Sequence, residues 1–285
     1  MSTFFQRLCN NGYICAHRGA RSIAPENTML AFDIARQRGA DLWETDIQLT
    51  RDGVAVIFHD LTLERTTNVA ALEQFRPRSP WYVRDFSYAE LQTLNTGSWF
   101  IQQDPFATIA SAAVAKTGFS AINQQRIPRL TELLHYCHQH DFPVNLEIKD
   151  QASSAADEII VKTVLEQISA SAAEDLVLVS SFNHDYLRQC KGINPNIATA
   201  ALAELHHPDH LIAYLQDLAV DAYHPEQQIT DAALIQQLRA HGIRTNLWTV
   251  NDVERAQYFT AAGATFICSD WPQRLVDATR TENIG

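Results

Sequence analysis

Four residues near the start of the chain have the types and spacing for metal-assisted acid–base chemistry: His17, Glu44, Asp46 and His59. Imidazole is the side chain that most readily exchanges a proton near neutral pH, and each histidine ends a short apolar run. Glu44 and Asp46 are two positions apart in another such run, so in a strand both side chains point to one face. A buried carboxylate pair is unfavourable unless a cation compensates it, and oxygen ligands suit a hard divalent cation.

A later segment repeats this spacing. Glu147 and Lys149 are two positions apart at the end of an apolar run, which predicts a third oxygen ligand with a positive group beside it. Taken singly, each residue also fits a structural role, because ionisable groups are perturbed at structural positions as well. Together they lie at the carboxyl ends of predicted strands, where barrels build their sites. His59 differs, because its strand is predicted to run antiparallel to the barrel strands, so it must reach the site from the hairpin or the loop that follows.

The elements that position these residues follow from the hydrophobic pattern. Short apolar or β-branched runs predict nine strands, at Tyr13–His17, Leu42–Leu49, Val54–His59, Pro143–Ile148, Leu176–Ser181, Ile197–Leu202, Val220–Tyr223, Ile243–Val250 and Thr265–Cys268. Longer amphipathic runs predict helices at Thr28–Arg38, Arg129–His140, Ala155–Ala170, His184–Cys190, Pro208–Leu218, Asp231–His241 and Asp252–Ala262. Gly39, Gly242 and Gly263 stand where three of these helices should end.

Nine strands are one more than an eight-stranded barrel needs, and a tight turn explains the extra one. Asp52 and Gly53 lie between the second and third strands, and Asp-Gly is a strong hairpin signal. A parallel pair would need a crossover of about a dozen residues. The remaining eight strands predict an α/β fold, a TIM (β/α)8 barrel formed by residues 1–285 as a single domain. A doubly wound sheet is the alternative.

The segment from Leu61 to about Arg126 breaks the alternation. It contains Pro77, Pro80 and Pro105, several aromatic residues, and a loose helical pattern around Phe106–Thr117. A structureless loop of that length is improbable inside a compact domain. We therefore expect a small insertion subdomain over residues 61–126, after the second β-unit and covering one face of the barrel.

Composition and charge exclude several classes of function. The net charge of −11 argues against a nucleic-acid partner, because phosphate backbones are bound by an excess of lysine and arginine. The N-terminal segment lacks the layout of a secretory signal, and no stretch approaches the roughly 18 apolar residues of a transmembrane segment. The chain has five cysteines, an odd number, and they are widely spaced rather than arranged in pairs. This favours a reduced, cytoplasmic compartment. The oligomeric state is not predicted.

Other polar clusters have simpler interpretations. The histidines and cysteine within residues 135–140 lie at the end of a predicted helix, where polar residues need no metal, so a zinc site there is disfavoured. The histidines within residues 206–210 are interpreted as a solvated helix start. Lys149 could form a Schiff base, but the adjacent Glu147 favours a lysine that stays cationic.

The ordered motifs of the chain resemble those of the glycerophosphodiester phosphodiesterase family. The resemblance spans nearly the whole chain and is densest between residues 17 and 67. The motifs in that part are His17-Arg18-Gly19, Pro25-Glu26-Asn27-Thr28, Ala31-Phe32, Gly39-Ala40-Asp41, Glu44-Thr45-Asp46, Thr50-Arg51-Asp52-Gly53, His59-Asp60 and Leu63-Glu64-Arg65-Thr66-Thr67. The later motifs are Gly97-Ser98-Trp99-Phe100, Ile127-Pro128-Arg129-Leu130, Glu147-Ile148-Lys149, Ser181-Phe182, Tyr223-His224-Pro225 and Trp248-Thr249-Val250-Asn251.

The resemblance implies a TIM barrel with an inserted subdomain after the second β-unit, and it assigns a role to each site residue. The implied roles are catalysis for His17 and His59, metal binding for Glu44, Asp46 and Glu147, phosphate contact for Arg18 and Lys149, and pocket lining for Phe182 and Trp248. Three carboxylates suit one Mg²⁺ or one Ca²⁺ equally, so the cation stays open. The chain departs from the family at Arg129, where a threonine is common, and at Ser269-Asp270, where Thr-Asp is usual, and we expect neither departure to touch the chemistry.

The implied function is hydrolysis of small glycerophosphodiesters to glycerol 3-phosphate and an alcohol. The cation, Arg18 and Lys149 would neutralise the diester. We assign His17 as base and His59 as acid, although the sequence fixes neither this order nor whether water or a glycerol hydroxyl attacks first. Two rivals remain: a catalytically silent barrel that only binds, and lysophospholipase D-type cleavage of lysophospholipids. The second rival would use an apolar insertion, for which the candidate residues are Trp81, Tyr82, Trp99 and Phe100.

Overall fold

Nine strands form one sheet in the computed structural model, which describes residues 2–151, 154 and 156–281. The strands are β1 (Tyr13–His17), β2 (Leu42–Leu49), β3 (Ala55–Ile57), β4 (Val144–Ile148), β5 (Val177–Ser181), β6 (Ala198–Ala203), β7 (Ala222–Pro225), β8 (Arg244–Leu247) and β9 (Phe266–Ser269). All except β3 run parallel, and β1 pairs with both β2 and β9, so the sheet closes on itself. The predicted (β/α)8 barrel is confirmed, and the doubly wound alternative is wrong because an open sheet has two free edges.

Helices precede, connect and follow the strands. They are α1 (Thr3–Arg7), α2 (Met29–Gln37), α3 (Tyr88–Leu91), α4 (Ser98–Gln103), α5 (Phe119–Asn123), α6 (Leu130–His140), α7 (Ile160–Ala170), α8 (His184–Ile193), α9 (Leu211–Asp217), α10 (Ala232–Ala240), α11 (Val253–Ala262) and α12 (Pro272–Thr281). The seven predicted helices are present with shifted ends, and Ala155, the predicted start of α7, lies outside the described residues. The glycines at the ends of α2, α10 and α11 have φ angles of 86°, 76° and 107°, as helix termini require.

The β2–β3 hairpin places one predicted site residue. The first part of β2 pairs with β1, and its last residues pair with β3 in antiparallel register, Ile47 lying opposite Ile57. After β3 the backbone N–H of Phe58 donates to the carbonyl of Asp46 at 3.0 Å. This bond holds His59 near Asp46, because β3 runs back along β2 from Leu49. The predicted hairpin is confirmed.

Helix α1 closes the amino end of the barrel, a role that its sequence did not predict. Phe4 and Phe5 are buried in one apolar cluster with residues from inside the barrel, among them Leu178, Phe266 and Cys268. Phe266 and Cys268 also line the cavity at the opposite, carboxyl end. The barrel interior is therefore a packed core toward the amino end of the strands and a cavity toward their carboxyl end, as is usual for this architecture.

The segment between β3 and α6 folds on short helices and turns of its own. Two apolar clusters hold it, and they bury Trp81, Trp99 and Phe100 to 9%, 6% and 0% exposure. The loose helix predicted at Phe106–Thr117 is wrong. The carboxylate of Asp104 accepts from the backbone N–H of Ile109 at 3.0 Å and of Ala110 at 2.8 Å, which replaces a helical ladder with turns. The limits 61–126 for an insertion subdomain stay a prediction.

The helices and the cysteines bear on the predicted cellular compartment. Among the described residues, no helix combines the length and apolar character needed to cross a membrane. All five cysteines are free thiols, and four of them are buried. Free thiols fit the predicted reduced compartment, and the cytoplasmic location itself stays a prediction.

Candidate active site

A cavity of about 480 Å³ opens at the carboxyl end of the barrel strands. Eight of the nine predicted site residues line it: His17, Arg18, Glu44, His59, Glu147, Lys149, Phe182 and Trp248. The ninth, Asp46, is 1% exposed and lies behind the wall, within the carboxylate cluster. The barrel thus brings together residues that stand up to 231 positions apart in the sequence.

Strand register creates the carboxylate cluster. His17 lies beside Glu44 across the β1–β2 pairing, and Asp46 lies beside Glu147 across the β2–β4 pairing. One carboxylate oxygen from each acid lies within 4.8 Å of the others, and all three residues are buried. Burial and the neighbouring negative charges raise the pKa of Glu44 well above its ordinary value, and burial also raises that of Glu147. Such a cluster is unfavourable without additional positive charge.

Asp46 differs from the other two acids of this cluster in the direction of its pKa shift. Burial would raise the pKa of Asp46, but the positive charges of His59, Arg18 and Lys149 lower it below its ordinary value. Its Oδ2 accepts from Asn27 Nδ2 at 2.8 Å, and its Oδ1 is buried without a hydrogen-bond partner among the described residues. Lys149 Nζ is 3.6 Å from that oxygen, beyond hydrogen-bond distance. A buried carboxylate oxygen left in this state fits a metal ligand.

Arg18 turns toward the cluster through a left-handed backbone. Its φ of 54° is uncommon for a residue with a side chain, and it directs the Arg18 N–H to Glu44 Oε2 at 3.0 Å. The guanidinium lies 2.9 Å from Glu26 and 3.4 Å from Asp46. Its position at the cavity wall is therefore fixed by both backbone and side chain.

Each predicted catalytic histidine is held by an aspartate at its Nδ1 atom. His17 Nδ1 is 2.7 Å from Asp270 Oδ1, and His59 Nδ1 is 2.6 Å from Asp60 Oδ1. An ionised carboxylate only accepts, so Nδ1 carries the proton in both rings and Nε2 is left for the cavity. Burial, followed by the charge of Arg18, lowers the pKa of His17 to about 4, although Asp270 opposes this shift.

Asp270 and Asp60 were not predicted as site residues. Asp270 follows Ser269, the position at which the chain departs from the family, and the β1–β9 pairing sets Asp270 beside His17. A sequence signal did exist, since Asp270 directly follows the last barrel strand. Asp60 had a similar signal, as the residue next to His59.

Glu26 is a third unpredicted residue, and it organises the arginines of the site. It is 4% exposed and pairs with Arg18 at 2.9 Å, Arg21 at 2.7 Å and Arg65 at 2.7 Å. Burial would raise the pKa of Glu26, but these three cations lower it well below its ordinary value. Arg65 also contacts Asp60 at 2.5 Å, so the network reaches both histidines.

The alternative roles considered for other residues find no support. Lys149 Nζ lies 2.6 Å from Glu147, and although burial would lower its pKa, Asp46 and Glu147 raise it. A Schiff-base lysine needs the opposite shift. Within the described part of the chain, Glu44, Asp46 and Glu147 are the sole group with metal-ligand spacing, and Cys137 of the disfavoured zinc cluster packs in the core.

Comparison with known proteins gives a consistent result. A model of the glycerophosphoryl diester phosphodiesterase family matches residues 17–274. A glycerophosphodiester phosphodiesterase from Caldanaerobacter subterraneus is 32% identical, over 94% of this chain and 97% of the relative, and one from Bacillus altitudinis is 32% identical, over 92% and 96%. A phosphodiesterase from Oleispira antarctica, solved with its product sn-glycerol-3-phosphate, is 26% identical with a TM-score of 0.79, covering 98% of this chain and 100% of that one.

Proposed function

The chain belongs to the glycerophosphoryl diester phosphodiesterase family, and we propose that it hydrolyses its diester with one bound divalent cation and with His17 and His59 as base and acid. Its activity is the hydrolysis of glycerophosphodiesters, small molecules that contain a glycerol 3-phosphate group. One observation supports the proposed mechanism: a cluster of three buried carboxylates lies at the same cavity as two histidines, each of which is hydrogen-bonded to an aspartate.

Glu44, Asp46 and Glu147 would hold the cation. They fit it because Asp46 Oδ1 is buried without a partner in the described part of the chain and because a cation would relieve the mutual repulsion of the three acids. A bound Mg²⁺ or Ca²⁺ would polarise the phosphoryl group and neutralise charge on its oxygens.

Arg18 and Lys149 would bind the phosphate. A phosphodiester is a stable monoanion, so its attack requires neutralisation of the charge that builds on the non-bridging oxygens. Both cations line the cavity, and both are held by acids that keep them charged, Glu26 for Arg18 and Glu147 for Lys149. Their positions are therefore set before the substrate arrives.

His17 suits the role of base. It lies against Arg18 and Arg21, which disfavour the imidazolium, so its Nε2 is available to accept a proton from the attacking oxygen. Asp270 stabilises the positive charge that His17 gains when it takes this proton. Water and the neighbouring glycerol hydroxyl are both suitable nucleophiles, and ³¹P NMR of the reaction distinguishes them, because only the hydroxyl forms a cyclic phosphate.

His59 suits the role of acid. It faces Asp60 directly, and its charged form lowers the pKa of both Asp46 and Glu147. Protonated His59 would donate from Nε2 to the bridging oxygen as the phosphorus–oxygen bond to the alcohol breaks. The charges around each ring support this order of base and acid, which the sequence leaves open.

One assay tests the proposal: release of glycerol 3-phosphate from glycerophosphocholine, with and without chelator and with His17→Ala. We expect activity to be lost on chelation and to fall by about 10²–10⁴-fold in the variant. Full activity of His17→Ala, or indifference to chelation, contradicts the mechanism. Lysophosphatidylcholine is tested in parallel, and we expect little cleavage because Trp81, Trp99 and Phe100 are buried rather than forming an apolar surface.

A further inference from the structure

Two buried thiols lie side by side next to the proposed catalytic pair, and the proposed mechanism uses neither of them. Cys15 of β1 and Cys268 of β9 are direct partners in the register of the two strands whose pairing closes the barrel. Both belong to the apolar cluster inside the barrel, so their side chains point to the same face of the sheet. The two thiols are hydrogen-bonded to each other.

The spacing of the two strands fits a disulfide bond between these cysteines. Neighbouring strands of a sheet lie about 4.8 Å apart, and a disulfide joins residues whose Cα atoms are about 4.4–6.8 Å apart. Because both side chains are on one face, the bond would form without a change of strand register. The other three cysteines are on other elements: Cys9 follows α1, Cys137 lies in α6 and Cys190 in α8.

A small oxidant can reach the pair through the active-site cavity. Cys268 lines this cavity and is 3% exposed, whereas Cys15 is fully buried beside it. Hydrogen peroxide is little larger than water, so a cavity of about 480 Å³ admits it. Burial raises the pKa of both thiols, which keeps them protonated and makes them react slowly. The pair therefore suits a response to sustained oxidation.

The chemistry of such a site needs one molecule of hydrogen peroxide. The sulfur of Cys268 attacks one peroxide oxygen, the O–O bond breaks, and a sulfenic acid and one water are formed. The sulfur of Cys15 then attacks the Cys268 sulfur and gives up its proton, and the S–O bond breaks as a second water leaves. Two thiols lose two electrons and two protons, and the peroxide takes up both.

The disulfide would form next to the residues that accept the proton in the proposed mechanism. His17 is two positions after Cys15, and Asp270 is two positions after Cys268. A disulfide holds its sulfur atoms about 2.05 Å apart, closer than unbonded sulfur atoms approach, so it should draw β1 and β9 together at this point. A displacement of about 1 Å near a catalytic group can lower a rate about 10²-fold. Oxidation should therefore disturb the 2.7 Å contact of His17 with Asp270.

We propose that Cys15 and Cys268 form a reversible oxidation site, at which hydrogen peroxide creates a disulfide across β1 and β9 that lowers the activity of the enzyme. Disulfides of this kind in a reducing compartment are transient and respond to the redox state. The inference goes beyond the proposed function. Formation of the disulfide is independent of that function, whereas its effect on the rate rests on the role of His17.

Peptide mapping and an activity ratio test the site together. The full chain is treated with hydrogen peroxide in buffer that contains Mg²⁺, its remaining thiols are blocked, and it is digested without reduction. We expect a linked peptide that contains Cys15 and Cys268 and has lost two hydrogen atoms. The kcat for glycerophosphocholine should fall by roughly tenfold to a hundredfold, and dithiothreitol should restore it.

Variants locate the effect. Cys268→Ala should keep its own kcat through the same treatment, and Cys15→Ala serves as a second variant if the first does not fold. Cys9→Ser is the matched control, because Cys9 is the exposed thiol of the chain, and it should be as sensitive as the wild type. The ratio of kcat after treatment to kcat before it, taken on one preparation, cancels any general loss that a substitution causes.

Each outcome decides for or against the site. A linked peptide with a reversible loss of kcat, absent in Cys268→Ala and kept in Cys9→Ser, supports it. A digest without the linked peptide, a linked peptide with unchanged kcat, or an equal loss in Cys268→Ala and the wild type overturns it. If the untreated protein releases no glycerol 3-phosphate, the proposed function fails and the effect on activity fails with it, while the mapping still shows whether the disulfide forms.

Discussion

His17 Nδ1 lies 2.7 Å from Asp270 Oδ1, although the two residues are 253 positions apart. The pairing of β1 with β9, which sets Ala16 opposite Ser269, brings the first and last barrel strands together and produces this contact. Asp270 accepts the Nδ1 proton, so the lone pair of His17 is on Nε2, which points to Glu44 at 3.9 Å. Closure of the barrel therefore orients the proposed base.

Replacing Asp270 should impair catalysis through His17. In Asp270→Asn an amide can donate to Nδ1, which moves the ring proton to Nε2 and removes the lone pair that accepts the proton. We expect kcat for glycerophosphocholine to fall by about 10²–10⁴-fold with a smaller change in KM. Asp217→Asn, at an exposed pair with Arg188, is the control and should keep wild-type kcat. Equal kcat in the two variants would refute the role.

The proposed order of base and acid predicts how leaving groups behave. p-Nitrophenolate leaves without a proton, whereas choline needs one. His59→Ala should therefore reduce kcat/KM for glycerophosphocholine by about 10²–10⁴-fold and much less for the p-nitrophenyl ester of glycerol 3-phosphate. His17→Ala should impair both substrates alike. The reverse pattern would show that His17 is the acid.

Glu26 should be a large contributor to stability. Removing its charge leaves Arg18, Arg21 and Arg65 without their shared partner in a buried setting. We expect Glu26→Gln to lower the free energy of unfolding by about 3–5 kcal/mol, measured by urea denaturation. Glu73→Gln is the control, since Glu73 pairs with Arg76 at the surface, and it should leave the midpoint unchanged. Matching midpoints for both variants would contradict this role.

Cation binding should release protons. The pKa values of Glu44 and Glu147 are raised in the absence of an ion, and carboxylate ligands must be ionised to bind one. Titration calorimetry with Mg²⁺ or Ca²⁺ at pH 6, in buffers that differ in ionisation enthalpy, should give buffer-dependent heats. The dependence of the heat on the buffer should decline at pH 9, where Glu44 and Glu147 hold fewer protons before the cation binds. Glu147→Gln should weaken cation binding. Heats independent of buffer at pH 6 would exclude coupling.

Asp60 should contribute stability that depends on pH. Burial would raise its pKa, but hydrogen bonds from His59 and Arg65 lower it to about 2. A folded-state pKa below the unfolded one gives stability that is fully present above about pH 4 and is lost as the pH falls toward 2. Asp60→Asn should therefore cost about 1–2 kcal/mol at pH 7 and less at pH 3, compared by urea denaturation. An equal cost at both pH values would argue against the titration of Asp60.

Local sequence patterns were sufficient to predict the strands and helices of the barrel. Period-two and helical patterns located the strands and helices, and the Asp-Gly turn separated the β2–β3 hairpin from the eight barrel strands. They failed at Phe106–Thr117, where the Asp104 carboxylate captures backbone N–H groups that a helix would use. They also gave no role to α1, because its two phenylalanines are explained only by the open barrel end that they fill.

The sequence by itself determined which residues could supply the chemistry: spacing put Glu44 with Asp46 and Glu147 with Lys149 on common strand faces, and ordered motifs supplied the rest. Only the tertiary structure decided how they are held. Asp270 joins His17 because the barrel closes, and Glu26 pairs with Arg18 and Arg21 of its own loop and with Arg65 of another. Periodicity reports the direction of a side chain along its own element, whereas contacts between distant elements depend on strand register and closure, which no local pattern encodes.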